Sequence, residues 1–164
     1  VREGRPVLYA QSRLGLGGVP FRILKFRTMT NRPTGKRASF DAGDGSRVTR
    51  SGRWLRASKL DELPQFFNVL EGRMSVVGPR PHAVAHNETF RKVIKGYMVR
   101  HKVKPGITGW AQVNGARGET PELKDMERRV EFDLEYLRTW TLRMDLLIIW
   151  RTVKLLLKGD PQAY

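Results

Sequence analysis

The chain has 164 residues, 40% of them apolar, which is enough for one domain with a sizeable core and excludes a wholly disordered protein. Its formal net charge of +15 predicts attraction to anions: nucleic acid, phosphorylated small molecules or an acidic membrane surface. The lack of cysteine excludes disulfides and thiolate metal ligands, and fits a reducing compartment. Because no apolar run approaches the roughly 18 residues of a membrane span and the chain opens at Val1, we expect a fragment without its membrane segment.

The first part of the chain predicts a β hairpin. Residues 7–13 and 21–29 read as two short strands, and the glycines and proline between them supply the turn. Alternation along the second strand places Lys25 and Arg27 on the same face. Residues 30–46 are polar and rich in turn formers, which predicts a mobile loop.

Two helices are predicted in the middle of the chain. The first covers about 58–71 with Ser58 as its N-cap, although Pro64 is awkward inside a helix. Its predicted buried face comprises Leu60, Leu63, Phe67 and Leu70. The second covers about 82–96, after an extended turn built on Pro79 and Pro81.

The last third predicts a structured loop and two long helices. Residues 104–115 contain three glycines and a proline and are expected to form the loop. A charged helix is predicted from 121 to about 140, and an amphipathic one at about 142–158. The Leu-, Ile- and Trp-rich face of the last helix fits equally well in a core or on an anionic bilayer.

The adjacent acids Asp61 and Glu62 stand at the edge of a strongly basic segment. Residues 1–60 carry 14 Lys and Arg against 3 Asp and Glu. Phosphoryl chemistry needs both features, cations for the phosphate oxygens and a carboxylate as nucleophile, base or metal ligand. The spacing alone slightly favours the plainer alternative, two solvated acids in the first turn of a helix.

Arg80 and a histidine pair are further candidate ligands. The rigid flanks Pro79 and Pro81 reduce the entropy that Arg80 would lose on binding phosphate. His82 and His86 have the i,i+4 spacing of metal ligands, but no third ligand is evident, so surface or capping roles are favoured.

Four ordered motifs give the chain a close resemblance to a known family. They are Lys25-Phe26-Arg27-Thr28-Met29, Arg47-Val48-Thr49-Arg50-Ser51-Gly52-Arg53, Leu60-Asp61-Glu62-Leu63-Pro64-Gln65 and Val77-Gly78-Pro79-Arg80-Pro81. Together they resemble the bacterial sugar transferases, the monotopic phosphoglycosyl transferases that act on polyprenol phosphate. The later segment 104–115 is similar to the branch of undecaprenyl-phosphate glucose phosphotransferases that serve exopolysaccharide synthesis.

The resemblance implies a reaction and a set of roles. A UDP-sugar would donate a hexose 1-phosphate, with glucose 1-phosphate favoured, to undecaprenyl phosphate and release UMP. Asp61 would form the covalent intermediate and Glu62 would assist, both near a Mg²⁺ ion that they are expected to bind. Four cations, Lys25, Arg27, Arg56 and Arg80, would neutralise the phosphate oxygens.

The resemblance also implies an architecture and a location. We expect one mainly helical α+β domain over residues 1–164 with a small β hairpin, lacking the membrane helix of the family. It would act at the cytoplasmic face of the bacterial inner membrane, on the membrane surface. Self-association into a homo-oligomer is left open.

The chain departs from the family pattern at a few positions. Gly45 and Ser46 precede Arg47 where the family typically has Asp-Pro, and Ala57 and Lys59 replace a usual Thr and Ser. These changes concern the loop geometry more than the chemistry.

Two hypotheses of other classes remain. A basic nucleic-acid-binding module would explain the charge and the aromatics among Arg and Lys, but it gives Asp61 and Glu62 no role, and we expect no nucleic-acid partner. A catalytically silent scaffold for other membrane assembly enzymes is the third hypothesis.

Overall fold

The computed structural model describes residues 6–30, 48–118 and 122–158. The predicted loop 30–46 lies almost entirely outside these residues, and the side chain of His86 is also outside the description. The described chain is mainly helical with two small pairs of strands, which confirms the predicted α+β class. Within these residues, no helix combines the length and the apolar character that crossing a membrane requires.

The predicted hairpin is present. Strands β1 (Leu8–Leu14) and β2 (Pro20–Phe26) pair antiparallel, with Tyr9 opposite Lys25. Phe21 and Ile23 of β2 are buried against Met74, so one face of the hairpin joins the core. This packing fixes the end of β2, where Lys25 lies.

A second strand pair was not predicted. Strands β3 (Ser75–Val77) and β4 (Gly106–Thr108) pair in parallel. The segment predicted as a loop at 104–115 therefore contains a strand, followed by the short helix α4 (Trp110–Val113). A Cβ at Gly106 would lie 2.1 Å from the backbone nitrogen of Gly78, so the close approach of these two segments requires glycine.

The predicted helix 58–71 is wrong in its bounds. Instead, α1 (Arg50–Ala57) is followed by a single 3₁₀ turn, Leu60–Glu62, and then by α2 (Gln65–Leu70). Ser58 closes α1, donating its hydroxyl to Trp54 O at 2.8 Å, and is not an N-cap. Lys59 interrupts the helix because its φ of 59° is left-handed.

The predicted buried face of this region is also wrong. Phe67 and Leu70 are 58% and 83% exposed, and Leu63 is exposed as well, while Leu60 is half-buried. The buried side of α2 is polar, with Gln65 and Asn68 each 1% exposed. Asn68 is buried because its amide pairs with β2, donating to Arg22 O and accepting from Leu24 N–H, both at 3.0 Å.

The remaining helices follow the sequence more closely. Helix α3 (Val84–Val93) is shorter than the predicted 82–96, because Ala83 before it and Ile94 after it are both extended. Helix α5 (Leu123–Thr139) begins with a capping box between Glu122 and Asp125. Helix α6 (Leu142–Lys158) has the predicted bounds.

Helix α6 contributes little to the core. Of its side chains only Ile148 is fully buried, packed with Val77 and Tyr136. Its exposed apolar side chains are Leu142, Leu146, Leu147, Ile149, Trp150, Val153, Leu156 and Leu157. The amphipathic pattern thus leaves most of one apolar face uncovered by the described chain.

Candidate active site

Glu62 lies between two cations from distant parts of the chain. Lys25 Nζ is 2.7 Å from Glu62 Oε1. Arg80 donates through Nη2 to Oε1 at 2.6 Å and through Nη1 to Oε2 at 3.1 Å, the bidentate geometry in which a guanidinium binds a carboxylate most strongly. The end of β2, the 3₁₀ turn between α1 and α2, and the turn after β3 therefore meet at one carboxylate.

These contacts keep Glu62 ionised. Burial alone would raise the pKa of Glu62, but the charges of Arg80 and Lys25 and their hydrogen bonds hold that pKa well below its usual range. Glu62 in turn raises the pKa of Arg80. Burial lowers the pKa of Lys25 in spite of the carboxylate beside it. Glu62 is thus a charged group with both oxygens engaged, poorly suited to accept a proton.

Asp61 has the opposite environment, although it is the neighbouring residue. It is 8% exposed, and burial raises the pKa of its carboxyl, an effect that Lys25 partly offsets and the charge of Glu62 reinforces. No hydrogen bond links this carboxylate to another residue of the described chain. Asp61 is therefore a largely buried carboxyl group, and no described side chain holds it as Lys25 and Arg80 hold Glu62.

The local backbone explains why the side chains of Asp61 and Glu62 have different surroundings although the residues are adjacent. In a 3₁₀ turn, successive side chains point about 120° apart. The turn Leu60–Glu62 thus gives the two acids different side-chain directions, and Glu62 is the one that contacts Lys25 and Arg80. The left-handed Lys59 ends α1 and starts this turn, a conformation that the sequence did not reveal.

The four predicted phosphate ligands are distributed unequally around the acids. Lys25 and Arg80 contact Glu62 directly, and Arg56 is close enough to lower the pKa of Asp61 by its charge. Arg27 is half-buried beyond the end of β2, and its backbone N–H donates to Val7 O at 2.8 Å. The role of each in binding phosphate stays a prediction.

A group of buried polar side chains next to Arg80 was not predicted from the sequence. Arg100 donates to Arg80 O at 2.6 Å and lies 2.7 Å from Asp133 Oδ2. His82 contacts Arg100 through Nδ1, and Tyr97 Oη is 2.8 Å from the same nitrogen. Burial, and next the charge of Arg100, keep the pKa of His82 far below its usual value, so His82 is neutral and already engaged.

The two acids differ in their suitability as metal ligands. Among residues 6–30, 48–118 and 122–158, no three His, Asp or Glu cluster as a metal cage would require. Mg²⁺ is often held by one or two carboxylates together with substrate phosphate oxygens. Asp61 fits that donor set, whereas Glu62 does not, because Lys25 and Arg80 already neutralise it and would repel a second cation.

Exposed aromatic and aliphatic side chains flank the acids. They lie on α1, on α2 and in the short segment between them: Trp54, Leu63, Phe66 and Phe67. Sequence analysis missed this surface because it assigned part of it to the core. A site for a charged substrate is thereby bordered by groups that avoid water.

A cavity of about 360 Å³ lies in another part of the structure. Its lining includes Val77, Tyr136 and Trp140, and Asp145 accepts hydrogen bonds from Tyr136 Oη at 2.8 Å and Trp140 Nε1 at 3.1 Å. Neither Asp61 nor a cation that contacts Glu62 is part of this lining. The paired acids and the cavity are therefore separate features.

Two adjacent acids surrounded by cations on a small α+β domain form a type of site that is suited to phosphate esters. Comparison with known sequences gives the family. The chain belongs to the bacterial sugar transferase family, whose sequence profile matches residues 1–159. This confirms the resemblance carried by the four motifs.

Individual relatives are similar over nearly the whole chain. The UDP-glucose:undecaprenyl-phosphate glucose-1-phosphate transferase of Escherichia coli K12 is 57% identical over 148 residues, 90% of this chain and 32% of the relative. The protein of the same name from Xanthomonas campestris is 53% identical over 160 residues, 97% of this chain and 33% of the relative. An Aeromonas hydrophila UDP-N-acetylgalactosamine-undecaprenyl-phosphate N-acetylgalactosaminephosphotransferase is 42% identical over 154 residues, 94% of this chain and 36% of the relative. The chain thus spans about a third of the length of these relatives.

Proposed function

We propose that this chain transfers a hexose 1-phosphate, with glucose 1-phosphate favoured, from a UDP-sugar to undecaprenyl phosphate and releases UMP. In the cell this would be the priming step of exopolysaccharide synthesis. The names of the relatives support the donor and acceptor classes. The observation that carries the chemistry is the contrast between Asp61, a buried carboxyl group whose pKa is raised, and Glu62, whose carboxylate is held by Lys25 and Arg80.

In the first half-reaction, Asp61 acts as the nucleophile. One of its carboxylate oxygens attacks the phosphorus next to the sugar, and the bond from that phosphorus to the bridging oxygen breaks, with the electron pair leaving on UMP. A carboxylate with a raised pKa is the better nucleophile once it is ionised. The product of this step is an aspartyl phosphosugar.

In the second half-reaction, a phosphate oxygen of undecaprenyl phosphate attacks the same phosphorus. The bond to the Asp61 oxygen breaks, the carboxylate is restored, and the sugar remains on an undecaprenyl diphosphate. Two steps at one carboxylate allow a soluble donor and a lipid acceptor to use the site in turn.

Glu62 is proposed to orient the cations. By holding Lys25 and Arg80 at fixed positions, it presents positive charge beside Asp61 without the reorganisation that free side chains would need. This differs from the metal-binding role expected from the resemblance. We propose Asp61, together with diphosphate oxygens of the donor, as the Mg²⁺ ligands, and the ion would supply charge neutralisation on the diphosphate.

The lipid acceptor requires a site at the membrane surface. The exposed side chains around the acids and the uncovered face of α6 support docking on a bilayer, and the net charge of +15 favours an anionic leaflet. We propose that the domain acts at the cytoplasmic face of the bacterial inner membrane, the location that the family resemblance implies.

The test separates the two half-reactions. The protein is incubated with sugar-labelled UDP-glucose and Mg²⁺, and then with undecaprenyl phosphate in lipid vesicles. UMP and a labelled protein adduct should form first, and the label should then pass to lipid. Asp61→Asn should form neither UMP nor adduct, and EDTA should suppress both.

The matched control is Glu71→Gln, an acid on the surface near Arg73. It should behave as the wild type. Undiminished UMP release by Asp61→Asn would overturn the assignment of the nucleophile, and a wild type that forms no UMP under any of these conditions would count against the reaction itself.

A further inference from the structure

All three carbonyl groups of the turn Pro79-Arg80-Pro81 accept a hydrogen bond. Gly106 N–H donates to Pro79 O at 3.0 Å, Arg100 Nη2 to Arg80 O at 2.6 Å, and Arg13 Nη1 to Pro81 O at 3.4 Å. The two prolines have no N–H, so of these three residues only Arg80 could donate into a strand ladder. Its position depends on donors that reach its carbonyls.

Arg100 is the most deeply placed of these donors. Its side chain and that of Asp133 are each 2% exposed, and they approach to 2.7 Å. His82 lies against the other side of the guanidinium and, being neutral, accepts through Nδ1. The ring of Tyr97 lies 5.5 Å from the guanidinium carbon. These contacts hold the Arg100 guanidinium between Asp133, His82 and the ring of Tyr97.

Arg80 links Arg100 to Glu62, because its backbone is held by Arg100 and its side chain contacts Glu62. Arg80 O accepts from Arg100, and the two Nη atoms of Arg80 reach Glu62. A movement of the Arg80 backbone would therefore move its guanidinium away from the carboxylate. Displacements of about 1 Å in such groups commonly cost on the order of 100-fold in rate.

We propose that Arg100 is a positioning residue for the transfer reaction: it fixes the main chain of Arg80 and so aims the Arg80 guanidinium at Glu62 beside the nucleophile. The catalytic part of this inference rests on the proposed function. Arg100 itself touches no reacting atom and acts through Arg80. Asp133 supports it by balancing its buried charge.

Two variants test the proposal without leaving an isolated buried charge. Arg100→Lys keeps a cation next to Asp133 but lacks the planar fork in which Nη2 reaches Asp133 and Arg80 O while Nη1 contacts His82. The double variant Arg100→Met with Asp133→Asn removes both charges together, a change that buried pairs commonly tolerate. Tyr136→Phe is the control, because it deletes a buried hydrogen bond to Asp145 outside the site.

The kinetic readout is a single turnover of UDP-glucose, in which the rate and the amplitude of UMP release are measured separately. A positioning role predicts that the rate falls by about tenfold or more while the amplitude stays at the wild-type level. A merely structural role would lower the amplitude, since fewer molecules would be folded, and leave the rate of the remainder unchanged. That result, or an unchanged rate in both variants, would overturn the proposal.

A second readout does not depend on activity. Bidentate pairing slows rotation of the Arg80 guanidinium, so its Nη–H groups should give separate ¹⁵N-correlated signals, assigned by their loss in Arg80→Lys. These signals should collapse in both Arg100 variants and persist in Tyr136→Phe. Signals that persist in the Arg100 variants would refute the positioning role, whether or not the wild type releases UMP. Absence of UMP release by the wild type would refute the proposed reaction instead.

Discussion

Asp61 and Glu62 are consecutive acids with opposite electrostatic environments. Glu62 is bound by Lys25 at 2.7 Å and by Arg80 at 2.6 Å, and its pKa is held well below the usual range in spite of burial. Burial raises the pKa of Asp61. We propose that Glu62 holds the cations in place and that Asp61 carries out the chemistry, a division of roles that pairs of carboxylates show in other active sites.

Glu62→Gln should be both inactive and destabilised. The substitution leaves Lys25 and Arg80 partly buried with only the weaker influence of the Asp61 charge, and breaking such a pair costs about 3 kcal/mol. Urea denaturation would measure this as a lower midpoint with an unchanged slope, and the UMP assay should show little turnover.

Glu71→Gln again provides the comparison for Glu62→Gln. Its carboxylate is exposed and 3.8 Å from Arg73, so its loss should change the free energy of unfolding by less than about 0.5 kcal/mol. Equal stability of the two variants would mean that the contacts of Glu62 do not hold the site together.

Asp61→Asn should be more stable than the wild type at neutral pH although it is inactive. The folded-state pKa of Asp61 is raised, so above the unfolded value of 3.8 the ionised group opposes folding, and the neutral amide removes that penalty. We expect a gain of about 1 kcal/mol, within the range usual for relieving a strained active site. The gain should shrink as the pH falls toward 3.8 and Asp61 becomes neutral; a gain that is constant with pH would contradict this origin.

The wild type should lose stability in acid through Glu62 in particular. Because the folded-state pKa of Glu62 is depressed, its contribution is complete above the unfolded value of 4.5 and is lost progressively as the pH falls below it. Denaturation at a series of pH values from about 6 to 3 should give a steeper loss in the wild type than in Glu62→Gln. Parallel curves for the two proteins would show that the ion pairs contribute nothing to acid stability.

The sequence predicted the elements whose signals are local. The hairpin follows from alternation and turn residues, and α6 from a continuous amphipathic period. Asp61 and Glu62 were recognisable as a pair, and Arg80 as a candidate phosphate ligand, because their motifs are contiguous. Their contact itself was not predictable, since it depends on the tertiary fold.

The errors have specific physical causes. Leucine and phenylalanine around α2 resemble the buried face of a helix, but the folded chain buries Gln65 and Asn68 instead, because the Asn68 amide binds the main chain of β2. The pairing of Arg100 with Asp133 joins two elements that are far apart in the sequence, and no periodicity marks it. Both features involve buried polar groups whose partners only the fold supplies.

Asn68→Leu should destabilise the fold although it makes α2 more hydrophobic. It deletes the acceptor of Leu24 N–H and the donor to Arg22 O, and leaves both main-chain groups of β2 without partners, at a cost of about 2–3 kcal/mol. Thermal unfolding would measure the loss. Leu70→Asn, at the exposed end of the same helix, is the matched control and should change stability by less than about 0.5 kcal/mol. A stable Asn68→Leu would show that the amide does not hold β2.

The proposed docking on a bilayer would involve the exposed aromatic side chains around the acids. Phe67→Ser, or Trp54→Ser, removes an exposed aromatic side chain and should leave the free energy of unfolding nearly unchanged while weakening retention on anionic vesicles about fivefold or more. Sedimentation with vesicles at low salt measures retention, and high salt should release part of the bound protein because it screens the basic surface. Val19→Ser, an exposed apolar side chain in the hairpin turn, controls for the mere loss of surface hydrophobicity and should bind as the wild type does. If Phe67→Ser and Val19→Ser bind equally well, the surface beside Asp61 is not the one that meets the bilayer.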